Sequence, residues 1–404
     1  MNRESKFFLF SYFLVSMGHP GQFIFAIKKA DPITGTIMVS LYFISIAIAS
    51  ICFSKLSDAY MKRKIFALLG FTIFSFVFIL YYFTTLPLHL ILCSSLIGVG
   101  FAAYTPTSNA LFSEMEPTIP SGKLMSYFFV VASAGWAVGS VLGGFVNQYF
   151  GDSVFFFTAI MTIIGGCIYF LKVHDVPYQR LEREASQNAT DQKNAQNLKL
   201  YSFLIAILSV AVLTRHICAQ GGFALLPNYL EEGLIATPLI ISLVLAINMT
   251  TQAILMIPVG WLVDHKKFGR KIVLLLGIIG SNVAVFTWSF INIPWILVFP
   301  QILMGFAWPA VATASTAIIT DTTTRYNRSQ GMGWFNAGLA IGGSIGPLIG
   351  ALIFINSGGS FAFSFQILSI FPIIGIILVL VSFSEDRATH QYFVFRRKNH
   401  PSSQ

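Results

Sequence analysis

Long apolar runs, each closed by charge, proline or glycine, dominate the chain. Twelve can be delimited: 7–27, 33–53, 65–84, 87–111, 123–147 and 153–172, then 200–226, 237–260, 271–290, 293–319, 330–355 and 360–383. A helix rising ~1.5 Å per residue needs about twenty apolar residues to cross a bilayer core of about 30 Å. The pattern therefore predicts an all-α membrane protein with twelve transmembrane helices. Residues 173–199 include QRLEREASQNATDQKNAQNLK, too polar to cross, and are expected to form a linker. This divides the chain into a six-helix bundle over 1–172, the linker 173–199, a second six-helix bundle over 200–384 and a basic tail over 385–404. The first run begins at Phe7 without a small-residue cleavage site, and reads as a retained helix rather than a signal peptide.

Composition agrees. Of 404 residues 55% are apolar and only 10% charged, against about 25% in a soluble domain. The net charge of +9 is explained by topology rather than by nucleic acid. With the N-terminus in the cytoplasm, Lys55, Lys62, Arg63, Lys64, the linker, Lys266, Lys267, Arg270, Lys271, Arg325, Arg328 and Arg396–Lys398 share one side. Only Lys28 and Lys29 fall in the opposite loops, which is the positive-inside signature of a cell-membrane protein with both termini cytoplasmic. Cys52, Cys93, Cys167 and Cys218 lie far apart in apolar runs and read as small buried hydrophobes, with no disulfide or metal site.

An internal repeat ties the two halves together. Ala30-Asp31-Pro32 recurs as Ala236-Thr237-Pro238 and Asp58 as Asp264, both at an offset of 206. Gly100-Phe101-Ala102 recurs as Gly305-Phe306-Ala307 and Glu116 as Asp321, at 205, and Gly135, Gly139 and Gly143 recur as Gly342, Gly346 and Gly350, at 207. Each match is weak alone; one register held over more than a hundred residues points to duplication.

The loop after the second run places Asp58 before Lys62, Arg63 and Lys64, and the loop after the eighth places Asp264 before Arg270 and Lys271. A carboxylate at one helix end and a basic cluster opening the next can form a clasp in the headgroup layer. Such a clasp breaks and reforms without burying a bare ion. On these residues the chain resembles the major facilitator superfamily over essentially its whole length. The family's signature between helices 2 and 3 is Gly, an apolar or small triplet, Asp, a basic residue, Gly and two basic residues. The second copy follows it through Gly260, Asp264, Gly269, Arg270 and Lys271, with two extra residues between Asp and Gly. The first keeps Asp58, Lys62 and Arg63 but has Ser54 and Met61 at the glycines. The resemblance implies the major facilitator fold, two pseudo-symmetric six-helix bundles rocking around a midplane site. It also implies that Asp58 and Asp264 anchor a cytoplasmic gate, with Glu116 and Asp321 as partners of Arg63 and Arg270.

Gly135, Gly139 and Gly143 on helix 5, and Gly342, Gly346, Pro347 and Gly350 on helix 11, make flat grooves for a neighbouring helix. The second set resembles the Gly-Pro motif that exporters of this superfamily carry on helix 5; here Ser140 stands where helix 5 would have the proline. Gly342-Gly343-Ser344-Ile345-Gly346 also fits a hydrolase pattern, and Gly98-Val99-Gly100-Phe101-Ala102-Ala103 approximates a dinucleotide fingerprint. Both lie inside apolar helices, without the strand each motif requires. Asn188-Ala189-Thr190 is a glycosylation sequon on the cytoplasmic side, where it stays bare.

Ionisable groups inside spans are costly and are functional candidates by default. His19 lies about 18 Å along its helix, and Arg215 and His216 about 22–24 Å along theirs. No Asp or Glu lies deep in any run. The candidates for proton coupling are His19 and His216, since an imidazole titrates near neutrality. The substrate-binding candidates are Gln22, Arg215, Asn248, Gln252, Gln301, Trp136, Trp308 and Asn336, with Tyr104, Thr107 and Asn109 of helix 4 beside them. Arg215 offers a donor fork suited to carboxylate or phosphate. In the family's fold, helices 1, 4, 7 and 10 line the path.

The reading is a monomeric secondary transporter in the lipid bilayer, not an enzyme, moving a small organic solute by alternating access and needing no cofactor. No ATP-binding loop is present. Proton-coupled efflux of an amphiphilic or anionic compound comes first. Uptake or facilitated diffusion of a sugar or organic acid is the alternative. An intramembrane hydrolase pairing Ser344 with His19 or His216 is the remote one.

Overall fold

A computed structural model describes residues 1–60, 62–116, 119, 121–176, 198–265, 268–322, 328–386 and 391–394. The linker from 177 to 197 with its sequon, Lys266, Lys267, Arg325, Arg396–Lys398 and the side chains of Lys55, Asp58 and Arg328 lie outside the described residues.

The helices follow the apolar runs. The first half holds α1 (Arg3–Ser16, continued by Gly21–Ala26 and Ile27–Lys29), α2 (Pro32–Tyr60), α3 (Arg63–Phe83), α4 (Pro87–Met115), α5 (Ser121–Phe150) and α6 (Val154–Lys172). The second holds α7 (Leu198–Asn228), α8 (Pro238–Asp264), α9 (Gly269–Trp288), α10 (Val298–Thr322), α11 (Arg328–Asn356) and α12 (Phe361–Leu368 and Phe371–Ser382). Among the described residues ten stretches are long and apolar enough to span a membrane, and one of them, Ser126–Lys172, carries both α5 and α6. The interrupted α1 completes the twelve.

Three departures from the sequence pattern have local causes. The first run breaks after Ser16, because Pro20 has no N–H for the Ser16 carbonyl; the His19 N–H takes that carbonyl at 3.2 Å. The chain resumes as a π-helical stretch over Gly21–Ala26, so His19 stands at a break in the helix. The twelfth run breaks between Leu368 and Phe371, just ahead of Pro372. The second helix outlasts its apolar run by reaching Tyr60, since neither Gly nor Pro follows Phe53 to stop it.

Helix ends are closed locally. Asp31 accepts the Ile33 and Thr34 N–H groups at 3.0 Å each, ahead of α2. Partial burial alone would raise its pKa, but these bonds and the Thr34 hydroxyl hold the carboxyl below the usual carboxylate range. The segment read as tail from 385 begins inside an antiparallel hairpin, Phe383–Asp386 on Gln391–Val394. Glu385 of that hairpin accepts the N–H groups of Arg270 at 3.0 Å and Lys271 at 2.8 Å. Asp175, after α6, takes the Lys64 N–H at 2.8 Å in the same way.

Close helix contacts repeat between the halves. A Cβ at Gly135 or Gly139 of α5 would strike the carbonyl oxygens of Phe13 or Met17 on α1, and Gly143 lies against the Phe25 ring. Gly342 and Gly346 of α11 meet the Leu213 and Ile217 carbonyls of α7 at matching positions, with Gly350 near Gly221. Pro347 lies within α11 beside Gly346. The halves touch through Gly343 of α11 under the Phe43 ring of α2, and through Gly144 of α5 against Ser242 of α8.

Candidate functional site

One end of the bundle gathers the chain's start and the ends of α4 and α6. Glu116 accepts the Asn2 N–H at 2.6 Å, and Glu4 accepts the His174 N–H at 2.6 Å. We call this the terminal face. At the opposite, far face, Lys28 pairs with Glu231 at 3.1 Å, the Asn228 amide donates to the Ala30 carbonyl at 2.9 Å, and Gln148 accepts the Leu239 N–H at 3.5 Å. These three polar contacts join the two halves at the far face.

On the terminal face each half holds an arginine at the start of its third helix. Arg270 lies between Asp264, at 3.4 Å, and Asp321. Arg63 binds Glu114 through Nε at 3.3 Å and Nη2 at 3.1 Å, and donates to Ser57 Oγ at 3.1 Å. The pairing expected between Arg63 and Glu116 is therefore corrected: Glu114 faces α3. Two residues on, Glu116 stands past the end of α4 and turns to the start of α1. The spacing from Glu114 to Asp321 is 207, as from Arg63 to Arg270, a register that could have found the pair. Gly269 has φ +70, a conformation that suits glycine, whereas Lys62 at the matching position has φ −124 and needs none.

Within the first half, His19 Nε2 lies 2.8 Å from the Tyr104 hydroxyl, between the rings of Phe74 and Phe101. It is half-buried, as is Trp136 on α5, whereas Thr107 bonds back to the Ala103 carbonyl of its own helix. Gln22 is not free for a ligand. Its Nε2 donates to Ser94 at 2.6 Å and its Oε1 accepts from Tyr81 at 2.5 Å, while Ser94 donates to the Met38 carbonyl at 2.7 Å. Those bonds join α1, α2, α3 and α4, since a buried amide in a membrane takes whatever partners neighbouring helices offer.

The second half holds the charge. Arg215 is 3% exposed; its Nε donates to Ser281 at 2.7 Å, Nη2 lies 3.7 Å from the Met304 sulfur, and the guanidinium sits 5.5 Å from the Trp308 ring centre. His216 packs edge-on against the same ring at 5.5 Å. Among the described residues no carboxylate pairs with Arg215. Asn248, Gln252 and Gln301 form a buried ladder: Gln252 donates to Asn248 at 2.6 Å and Asn248 to Gln301 at 3.1 Å. Through these bonds the three candidates tie α8 to α10, and the Gln301 Nε2 is sealed from solvent without a partner. Asn336 stands exposed on the terminal half of α11.

Ser281, Met304 and Glu114 were not singled out by sequence reasoning, whereas Tyr104 was named there beside the binding candidates. Ser344 donates to the Ala340 carbonyl of its own helix at 2.7 Å, as a helical serine does, rather than to a histidine. Two surface grooves, about 590 Å³ beside Asn282 and Gln366 and about 540 Å³ beside Thr72 and Thr162, lie along α9/α12 and α3/α6. None of the candidate residues lines either.

Among the described residues, twelve helices in two like halves, joined at the far face and holding a few polar groups inside an apolar body, define an integral-membrane carrier. The sequence profile of the Major Facilitator Superfamily matches twice, over residues 7–222 and 208–403, and the chain belongs to that family. It is a membrane transporter of small molecules rather than an enzyme. It is 25% identical over 328 residues to the multidrug resistance protein MdtG of Salmonella dublin, covering 80% of this chain and 79% of that one. It is 30% identical over 123 residues to the class B tetracycline resistance protein of Escherichia coli, 30% of each chain. Among solved structures, a peptide transporter POT in complex with sulfate superposes with a TM-score of 0.76 at 13% identity, covering 94% of both chains. The nucleoside transporter NupG superposes at 0.71 with 11% identity, over 94% of this chain and 98% of the other. At such identities these two likenesses concern the fold alone.

Proposed function

We propose that this transporter exports a small amphiphilic or anionic compound by proton-coupled alternating access, with both termini in the cytoplasm. The fastening at the far face carries the reading. Lys28 with Glu231, Asn228 with the Ala30 carbonyl and Gln148 with the Leu239 N–H hold the halves together there, which favours an interior approached from the terminal face, where an exporter loads its cargo. The basic loops favour the cytoplasm as the side of that face. Relatives named for multidrug and tetracycline resistance favour the outward direction.

In this scheme residues 1–172 and 200–384 rock as two bundles tethered by the linker 173–199, with 385–404 on the cytoplasmic side. The arginine clasps, Arg63 with Glu114 and Arg270 with Asp264 and Asp321, are the struts of the cytoplasmic gate, and Asp58 belongs with them by position. His19, hydrogen-bonded to Tyr104 at the break in α1, and His216 beside Trp308 are the proton sites. Arg215, Trp136, Trp308 and Asn336 are the substrate contacts. The glycines of α5 and α11 let the gating helices approach their neighbours closely.

The test is flux in proteoliposomes under an imposed pH gradient, with the fluorescent amphiphilic anion anilinonaphthalene sulfonate as probe. Probe movement opposite to the proton gradient, abolished by a protonophore and made insensitive to pH by His19→Gln, is expected. Flux indifferent to the gradient overturns proton coupling. Net movement only toward the terminal face overturns export.

A further inference from the structure

We infer that the cluster of Arg215, Ser281, Met304 and Trp308 is the recognition site for a single organic monoanion, one oxyanion group on an apolar body. Ser281 is the residue that aims the guanidinium. This deepens the export reading and rests on it only for the direction of movement.

The argument starts from charge. A buried guanidinium in hydrocarbon is costly unless an anion neutralises it, and the usual partner is a nearby carboxylate. Arg215 has none among the described residues, and its recorded partners are a hydroxyl, a thioether and an indole. An indole face and a hydroxyl ease the burial of the charge without cancelling it. The missing unit of negative charge is therefore to be brought by a ligand.

Geometry then restricts the ligand. Ser281 is fully buried; its oxygen accepts from Arg215 Nε while its proton goes to the Gly277 carbonyl at 3.1 Å, so both of its roles are filled. That bond occupies the Nε side of the fork. Nη2 points at Met304, and Nη1 is left without a partner yet is not among the atoms sealed from solvent. The Nη edge remains for an oxyanion. One fixed positive charge matches one negative charge: His216 beside it has no well-formed hydrogen bond at Nδ1, and the Gln301 Nε2 three residues before Met304 is a neutral donor without a partner. A dianion would leave a charge unpaired in the same apolar surroundings. The body of the ligand meets Trp308, which is half-buried and already flanked by His216. Hence the apolar body and the single charge belong to one compound.

The matching position in the first half sharpens the case. The glycines of α5 meet Phe13 and Met17 and those of α11 meet Leu213 and Ile217, so Arg215 corresponds to Val15; at the glycines' own offset of 207, Ser281, Met304 and Trp308 correspond to Phe74, Ile97 and Phe101. The frame does not need a cation there, because its twin is built without one.

Equilibrium dialysis of the purified full chain in detergent, with no gradient, tests the inference using three probes of one shape: naphthoate, naphthylmethanol and naphthylmethylammonium. Naphthoate is expected to bind at least about tenfold more tightly than the alcohol, with the ammonium weakest, from the worth of a charged hydrogen-bonded pair. Arg215→Gln should erase the preference for the acid. Ser281→Ala should reduce it about threefold while Ser281→Thr, which keeps the hydroxyl, retains it. Equal binding of acid and alcohol by the unaltered protein overturns the inference even if no variant folds, as does an unchanged preference in Arg215→Gln. Since dialysis is blind to direction and to protons, a failure of the export reading in vesicles leaves this result standing, and the reverse also holds.

Discussion

The two halves share a frame and differ in what they bury. Each has an arginine at the start of its third helix paired with a carboxylate near the end of the fourth, and a carboxylate after the sixth closing the third helix's N-terminus. Inside, the first half breaks its first helix at Pro20 and sets His19 among aromatic rings, hydrogen-bonded to Tyr104. The second half runs α7 unbroken past Arg215 and His216, delaying its π-helical turn to Tyr229–Gly233. The repeat thus keeps the glycine contacts and the clasps in both halves, while the interior differs, with His19 in the first and Arg215 beside His216 in the second. Under the proposed function, the shared features belong to the moving frame and the differing ones to the cargo.

The strongest way to break that comparison is through the shared frame. At Gly139 and Gly346 an added Cβ meets backbone, not a flexible side chain, so neither site can make room. Gly139→Leu and Gly346→Leu should each destabilise by about 3 kcal/mol or more, with large falls in melting temperature in detergent. Equal falls support equivalent helix pairs in the two halves. A fall at one site alone would show that only one groove is under tension.

Next in size are the clasps. Arg63 and Glu114 have side chains 16% and 17% exposed, so losing the charge of one strands the other in a partly dry place. Glu114→Gln should cost about 2 kcal/mol, read as lost thermal stability, and Asp321→Asn should match it within a factor of two. Glu116→Gln, which disturbs the start of α1 rather than Arg63, should cost less. A larger effect at Glu116 than at Glu114 would restore the pairing that the family resemblance had implied.

How far the sequence could see follows from the same contrast. The spans were legible because hydrocarbon forces about twenty apolar residues wherever the chain crosses. The repeat was legible because close contacts at Gly135 and Gly342 tolerate only glycine. Arg215, His19 and His216 stood out because charge is rare in such runs. What stayed hidden depends on which way a residue faces. Glu114 and Glu116 are both plausible at the end of α4 until helix phase separates them by more than half a turn. Gln22, Asn248 and Gln301 read as cavity residues because polarity in a span is noticed, but whether an amide meets a ligand or a neighbouring helix is decided by packing. Ser281 gave no signal at all, being one serine among many until Arg215 is found against it.

The smallest effect concerns a place where the halves hold each other by charge. Lys28 and Glu231 are 14% and 37% exposed, so solvent screens much of their attraction. A pair of this kind contributes about 0.5 kcal/mol, enough to shift a two-state balance only about twofold. Lys28→Gln should therefore favour opening of the far face about twofold, measured as faster modification of a cysteine introduced beside it, and Glu231→Gln should do the same. Exchanging the charges, Lys28→Glu with Glu231→Lys, should return the rate toward that of the parent. If both single variants change nothing, the Asn228 bond to the Ala30 carbonyl and the helix contacts at Gly144 and Gly343 hold the far face shut without it. The charge pair would then be a surface ornament of a joint that packing closes, and the two halves would be fastened by the same small-residue contacts that they use within themselves.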